Sequence, residues 1–281
     1  MGVTRDRATG TITLNQSVYI QSLLVRFNMT DCKPFSSPSL VTPFPESPLC
    51  SEDTPYQCLV GSLLYASVCT RPDIAEAVGR LTRFMAAPTE AHWTAGKRVL
   101  RYLSGTREQG ITFGRIPDSV NGKVVYPNIT YGYSDSDWAG DLVTRKSTGG
   151  YVFMLNGGPV SWKSQLQSCV ALSTAEAEYM GLTEASKEAM FLRFLLDNCN
   201  FTQTESTMLL EDNQSAIALS NSAITNNRTK HIDIKYHFVR ELVLSAEVRI
   251  VYCPTEIMLA DVFTKPLASP RHAILCRSIM G

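Results

Sequence analysis

The pattern of apolar and polar positions changes character along this chain. Near the amino terminus, alternation over residues 11–14 follows the turn pair Thr9-Gly10 and predicts a hairpin. Asn15 or Ser17 is placed to cap a helix running through Phe27, with Tyr19, Leu23 and Phe27 on one face. Residues 33–55 hold six prolines among several serines, which predicts an exposed connection rather than an element. Three helical patterns follow. The first covers about 56–67, and the second starts after Arg71 with Pro72 and Asp73 in its first turn. The third has Thr89 as cap, Trp93, Gly96, Leu100 and Leu103 on one face, and Gly105 as stop. Lys97, Arg98 and Arg101 project elsewhere on it, as a phosphate-facing surface or a merely solvated one.

Residues 114–128, with Pro117, Gly122 and Pro127, read as a linker. Beyond it, strand-like runs occupy 129–134, 150–155 and 160–163, with a shorter one near Val170. A long helix is predicted over 174–198, then a strand at 207–211, a short helix at 215–220, a helix at 232–245, a strand at 248–252 and a last helical segment from Leu259. Three strands, helix, strand, helix, strand, helix is a mixed α/β layer pattern.

Four carboxylates fall at the ends of these elements. Asp135 ends the first strand of the second region, Glu178 lies in the first turns of the long helix, Asp212 ends the fourth strand and Asp261 opens the last helix. In α/β sheets, ligands gather beyond strand ends and at helix starts, so this placement lets the four converge. The long helix sharpens the argument. Its apolar stripe reads Leu182, Ala185, Ala189, Leu192, Leu196, and one step of four backwards lands on Glu178, while Glu176 shares a face with Thr183 and Lys187. A carboxylate on a buried stripe is costly unless paired, and a metal ion is an economical partner. Each acid also has a plainer explanation. Glu178 sits on a wet helix end, Asp212 caps the helix near Asn213, Asp135 and Asp137 are turn residues, and Asp261 is a first-turn acid favoured by the helix dipole. Converging acids repel one another, and hard divalent ions such as Mg²⁺ or Mn²⁺ relieve that repulsion. Two such ions are the usual device for phosphodiester hydrolysis.

Composition adds exclusions. With 44% hydrophobic and 19% charged residues over 281 positions, the chain can bury a core. The formal net charge of zero does not exclude a local basic groove. The eight cysteines include no C-x-x-C pair, which argues against zinc and leaves reduced intracellular thiols as the expectation. No signal peptide or membrane span is expected.

The segments YGYSDSDWAG…TRKSTGGYVFML, VALSTAEAEYMGLTEASKEAMFLRFLL, LEDNQSAIALSNS, RTKHIDIKYHFVREL and VYCPTEIMLADVFTKPL follow one another in order. Over nearly its whole length the chain resembles the carboxy-terminal end of copia-type LTR retrotransposon Pol polyproteins. The resemblance implies an α/β, ribonuclease H-like mixed five-stranded sheet flanked by helices at 129–267. A mostly helical thumb- or connection-like region at 56–113 precedes it, with the end of a polymerase palm at 1–32, the Pro/Ser-rich connection at 33–55 and a tail at 268–281. It implies hydrolysis of the RNA strand of RNA–DNA hybrids with two Mg²⁺ or Mn²⁺ ions. Asp135, Glu178, Asp212 and Asp261 are the matching acids, and Asp137 is left as a structural or supporting candidate. The polymerase motif Y-x-D-D does not occur, so no polymerase activity is expected of this chain. The implied partners are the hybrid and the polymerase or integrase portions of the same element, in the cytoplasm within virus-like particles or in the nucleus. A second reading is a catalytically silent relic or a host-retained nucleic-acid-binding fragment, since the match begins inside the palm.

Hybrid cleavage requires contacts to phosphates and to the 2′-hydroxyl. Candidates are Arg145, Lys146, Ser147 and Thr148 after the first strand, Asn213, Gln214 and Ser215 after Asp212, and the basic run Arg228, Lys230, His231, Lys235, His237 and Arg240. Each also fits a solvated loop or helix face. His231 and His237 are six positions apart and face different ways on a helix, so they make a poor metal pair. Cellular ribonucleases H often carry a histidine in a loop after the last strand. The corresponding CPTEI stretch has none, and Glu256 is the nearest titratable group.

Overall fold

The computed structural model describes residues 1–117, 119–221 and 233–281. The chain divides into two compact units, Met1–Gly114 with Lys265–Gly281, and Arg115–Thr264.

In the first unit, strands β1 (Gly2–Asp6) and β2 (Thr11–Asn15) form the expected hairpin. Four helices follow: α1 (Ser17–Arg26), α2 (Tyr56–Cys69), α3 (Ala75–Thr82) and α4 (Glu90–Gly105). Pro72–Ile74 form a 3₁₀ turn ahead of α3, so the helix predicted after Arg71 begins in tighter geometry. Thr89 caps α4 reciprocally with His92. Leu23, Leu59, Leu63, Leu81 and Leu100 are fully buried at the centre of this unit. Strand β3 (Gly110–Phe113) returns to pair with β2, placing Phe113 opposite Ile12. No local pattern announces that pairing, because the partner lies about a hundred residues away.

Two of the basic residues of α4, Arg98 and Arg101, are half-buried and engaged with the proline-rich connection. Arg98 and Arg101 both lie over the Phe35 ring, 4.2 and 3.7 Å from its centroid. Arg98 also donates to the Ser37 hydroxyl at 3.1 Å, and Arg101 to the Lys33 carbonyl at 2.6 Å. They hold the proline-rich connection against the helix, each contributing cation–π and hydrogen-bond energy.

A buried polar network fixes the end of this unit. The Arg71 guanidinium donates to both Asp73 oxygens, at 2.9 and 2.6 Å, and to the carbonyl and hydroxyl of Thr106. Tyr102 donates its hydroxyl to Asp73 at 2.7 Å. The residues expected to be a tail form helix α9 (Ser269–Met280), numbered last in chain order, and bury His272, Leu275 and Ile279 in this first unit. His272 Nε2 lies 3.0 Å from the Asp73 carbonyl, which can only accept, so the imidazole donates.

The second unit begins within the expected linker, where β4 (Ser119–Val120) and β5 (Lys123–Val124) make a small hairpin. Strands β6 (Tyr131–Ser136), β7 (Thr148–Leu155) and β8 (Gly158–Leu166) form an antiparallel meander. Asn156 and Gly157 between β7 and β8 both have positive φ, the requirement of a tight two-residue turn. Then come α5 (Thr174–Asn198), β9 (Thr207–Glu211), α6 (Gln214–Asn221), α7 (Asp233–Leu244), β10 (Val248–Tyr252) and α8 (Asp261–Thr264). The strand order is β10-β9-β6-β7-β8, with β6, β9 and β10 parallel. This is the mixed five-stranded sheet expected from the sequence. The short strand expected near Val170 is absent from the described structure. That stretch is the loop into α5, where the Leu172 N–H is taken by the Glu176 carboxylate at 2.9 Å. Among the described residues, no helix is long and apolar enough to cross a membrane.

Candidate metal centre

The sheet order places the ends of β6 and β9 side by side. Asp135 is the penultimate residue of β6 and Asp212 follows the last residue of β9. Helix α5 packs its start over these strand ends and brings in Glu178. One carboxylate oxygen each from Asp135, Glu178 and Asp212 lie within 4.8 Å of one another, an arrangement able to hold a metal ion. Asp261, the first residue of α8, is buried but lies outside this group of three. It shares their electrostatic neighbourhood, because burial and then the charges of Asp212 and Asp261 push the Cys253 thiol up to about 12.

Helix α5 buries its apolar stripe, but not that stripe alone. Leu182, Ala185 and Ala189 are fully buried, and Glu178 lies on their line with 7% exposure. Glu176 is equally buried and Thr183 more so, which the stripe did not foresee. The first turns of α5 are covered on a second side, where Ala177 and Met180 pack on Ala171 of the preceding loop. The Glu176 carboxylate is used locally, on the Leu172 amide.

Helix capping at Asp212 loses its support. The side-chain oxygen of Asn213 accepts the amides of Ser215 and Ala216, at 2.9 and 3.1 Å, and so caps α6 itself. Asp212 instead accepts the Thr255 hydroxyl at 2.8 Å. The Asp137 carboxylate is used locally, accepting the Thr148 amide across the β6–β7 loop. A Cβ on Gly140 would sit 1.6 Å from that carboxylate, which explains the glycine. Gly150 lies opposite Asp135 in β7, and a Cβ there would come 2.6 Å from Phe263. The bare backbone at Gly150 therefore lets α8 lie against the sheet beside Asp135.

Sequence reasoning missed two residues that lie beside the three acids. Glu211, the last residue of β9, is fully buried beside the three acids. Burial, reinforced by the neighbouring charge of Asp135, holds its carboxyl well above the usual carboxylate range. One of its oxygens accepts the Asn213 amide at 3.3 Å. The second is Thr264, whose hydroxyl donates to Asp135. Glu211 had a faint signal, as an acid ending an otherwise apolar strand. Thr264 had none.

The candidate substrate residues separate. Arg145 is exposed, with φ +56° in the β6–β7 loop, Lys146 is half-buried and Gln214 is exposed. Ser147 is fully buried and its hydroxyl accepts the Ala139 amide at 3.0 Å, so it is not presented to a ligand. Thr148 is buried in β7. Lys235 lines a cavity of about 160 Å³ with Lys163, Gln167 and Glu184. Arg228, Lys230 and His231 lie outside the described residues. Trp138, which sequence reasoning passed over, is 51% exposed, with its indole N–H on the Ala171 carbonyl at 3.2 Å. That bond ties together the loops next to Asp135 and Glu178.

A mixed sheet of this order, with acids at its strand ends and helix starts, makes the second unit a ribonuclease H-like domain. In sequence the chain is similar, over nearly its whole length, to retrovirus-related Pol polyproteins of transposons. It is 41% identical over its full length to the Pol polyprotein of transposon TNT 1-94 from Nicotiana tabacum, and covers 21% of that relative. It is 39% identical, over 95% of its length, to that of transposon RE1 from Arabidopsis thaliana, and covers 18% of it. The chain thus spans about a fifth of the length of these curated relatives. No model of a protein family matches it. Among solved structures it is similar to LC11-RNase H1, isolated from compost, with a TM-score of 0.38 and 16% identity, covering 49% of this chain and 93% of that one.

Proposed function

We propose that the second unit hydrolyses the RNA strand of RNA–DNA hybrids in a reaction dependent on divalent metal. The observation that carries this reading is the convergence of Asp135, Glu178 and Asp212 from two strand ends and a helix start, within 4.8 Å. An all-oxygen donor set of this kind fits Mg²⁺ or Mn²⁺. Asp135, Glu178 and Asp212 would hold the metal, with Asp261 completing the set for a second ion. When bound, such ions supply an acidified water and neutralise charge on the leaving oxygen.

The chain's own residues orient the substrate and keep the acids in place. Burial of Asp135 and Glu178 keeps water from competing at the donor atoms and strengthens their electrostatics. Arg145, Lys146, Gln214 and Lys235 serve as contacts to the nucleic-acid backbone. Trp138 offers an apolar face at the rim, suited to a sugar or base. The family resemblance supports the hybrid as substrate, and the polymerase and integrase portions of a longer polyprotein as partners.

The test is a panel of end-labelled substrates incubated with the purified chain in Mg²⁺. We expect cleavage of the RNA strand of a hybrid, with its DNA strand, free RNA and duplex DNA spared. Equal cutting of duplex DNA would point to a related DNA nuclease, and hybrid binding without cutting would point to a silent relic.

A further inference from the structure

We propose that Thr264 is a positioning residue that sets the orientation of Asp135 for metal binding; this rests on the metal-site reading above. The Thr264 hydroxyl donates to Asp135 Oδ2 across the junction of α8 and β6. Both side chains are almost completely buried, at 2% and 1% exposure, so bulk water does not compete for the bond. An ionised carboxylate only accepts, and a hydroxyl bonded to it makes a charge-assisted bond roughly twice as strong as a neutral one. The carboxylate torsion of aspartate is broad and nearly two-fold when left alone. A hydroxyl fixed from outside the cluster removes that freedom and selects one carboxylate plane.

Thr264 is itself well held. It is the last residue of α8, three positions after Asp261, so one turn of helix both delivers an acid and grips another. Its methyl lies over Gly150, where a Cβ would come 2.9 Å from Thr264 Cγ2. Hydroxyl and methyl therefore have separable tasks, one on Asp135 and one on the sheet. Thr255 makes the corresponding bond to Asp212, but at an exposed position where water competes, so the inference is confined to Thr264.

The experiment is a titration of the full chain with Mn²⁺ alone, without nucleic acid, followed by the electron paramagnetic resonance signal of the free ion. Wild type, Thr264→Val, Thr264→Ser, Thr264→Ala and Asp135→Asn are compared, with thermal unfolding of each. Removing a partner that orients a metal ligand weakens affinity about 10–100-fold. We expect that loss for Thr264→Val, which keeps the branched shape, and near wild-type affinity for Thr264→Ser, which keeps the hydroxyl. Should Thr264→Val fail to fold, Thr264→Ala against Thr264→Ser isolates the hydroxyl, since both lack the methyl. Wild-type affinity in folded Thr264→Val, or equal weakening in Thr264→Ser and Thr264→Ala, would overturn the positioning role. Unchanged binding in Asp135→Asn, or none in wild type, would overturn the metal site and with it this inference.

Discussion

Glu178→Gln lowers the rate of hybrid cleavage by about three orders of magnitude while leaving the chain folded. The substitution is isosteric, so the buried stripe of α5 keeps its packing against the sheet. What is lost is a charged oxygen donor to a group supplying several kcal/mol of transition-state stabilisation, at about 1.36 kcal/mol per tenfold in rate. Glu176→Gln, two residues earlier and equally buried, is the control. Its side-chain oxygen still accepts the Leu172 amide, and the lost charge at the helix start costs only about 0.3–1 kcal/mol of stability. Single-turnover cleavage in Mg²⁺, with thermal unfolding of both variants, separates a ligand from a helix-start acid. Equal activities in the two variants would show that the helical phase of α5 does not select the ligand.

The second large effect is on stability. Arg71→Met leaves the Asp73 carboxylate buried without its guanidinium, and breaking a buried pair in this way costs about 3–5 kcal/mol. The unfolding transition of the first unit should move to markedly lower urea. Burial alone would raise the Asp73 carboxyl, but the Arg71 charge and hydrogen bonds outweigh it and hold the group below its ordinary 3.8. A depressed folded pKa stabilises above the unfolded value and loses that contribution as pH falls through the folded one. In wild type, then, this contribution is fully present above about pH 4 and fades in stronger acid. An Arg71→Met chain with an unchanged urea midpoint would mean that the network is dispensable.

What the sequence disclosed follows the reach of each signal. Helix α5 and strand β9 were legible to the residue because period and length identify them locally. The three clustered acids were legible because strand ends and helix starts are themselves local features. Strand β3 was not, since its pairing with β2 depends on residues far apart in sequence. The contacts of Arg98 and Arg101 in α4 were not legible because Phe35 and Ser37, which they engage, come from a stretch without periodicity. Ser147 looked like a loop hydroxyl open to phosphate, yet the loop folds over it to satisfy Ala139. Thr264 and Glu211 escaped for a related reason: their importance comes from Asp135, a neighbour in space only.

The most direct test of the metal centre compares the wild-type chain with Asp212→Asn on one hybrid labelled on its RNA strand, in Mg²⁺. We predict RNA-strand cleavage by the wild type and none detectable by Asp212→Asn, with both chains equally folded. Identical cleavage by the two proteins would contradict the assignment of Asp135, Glu178 and Asp212 as the reacting site.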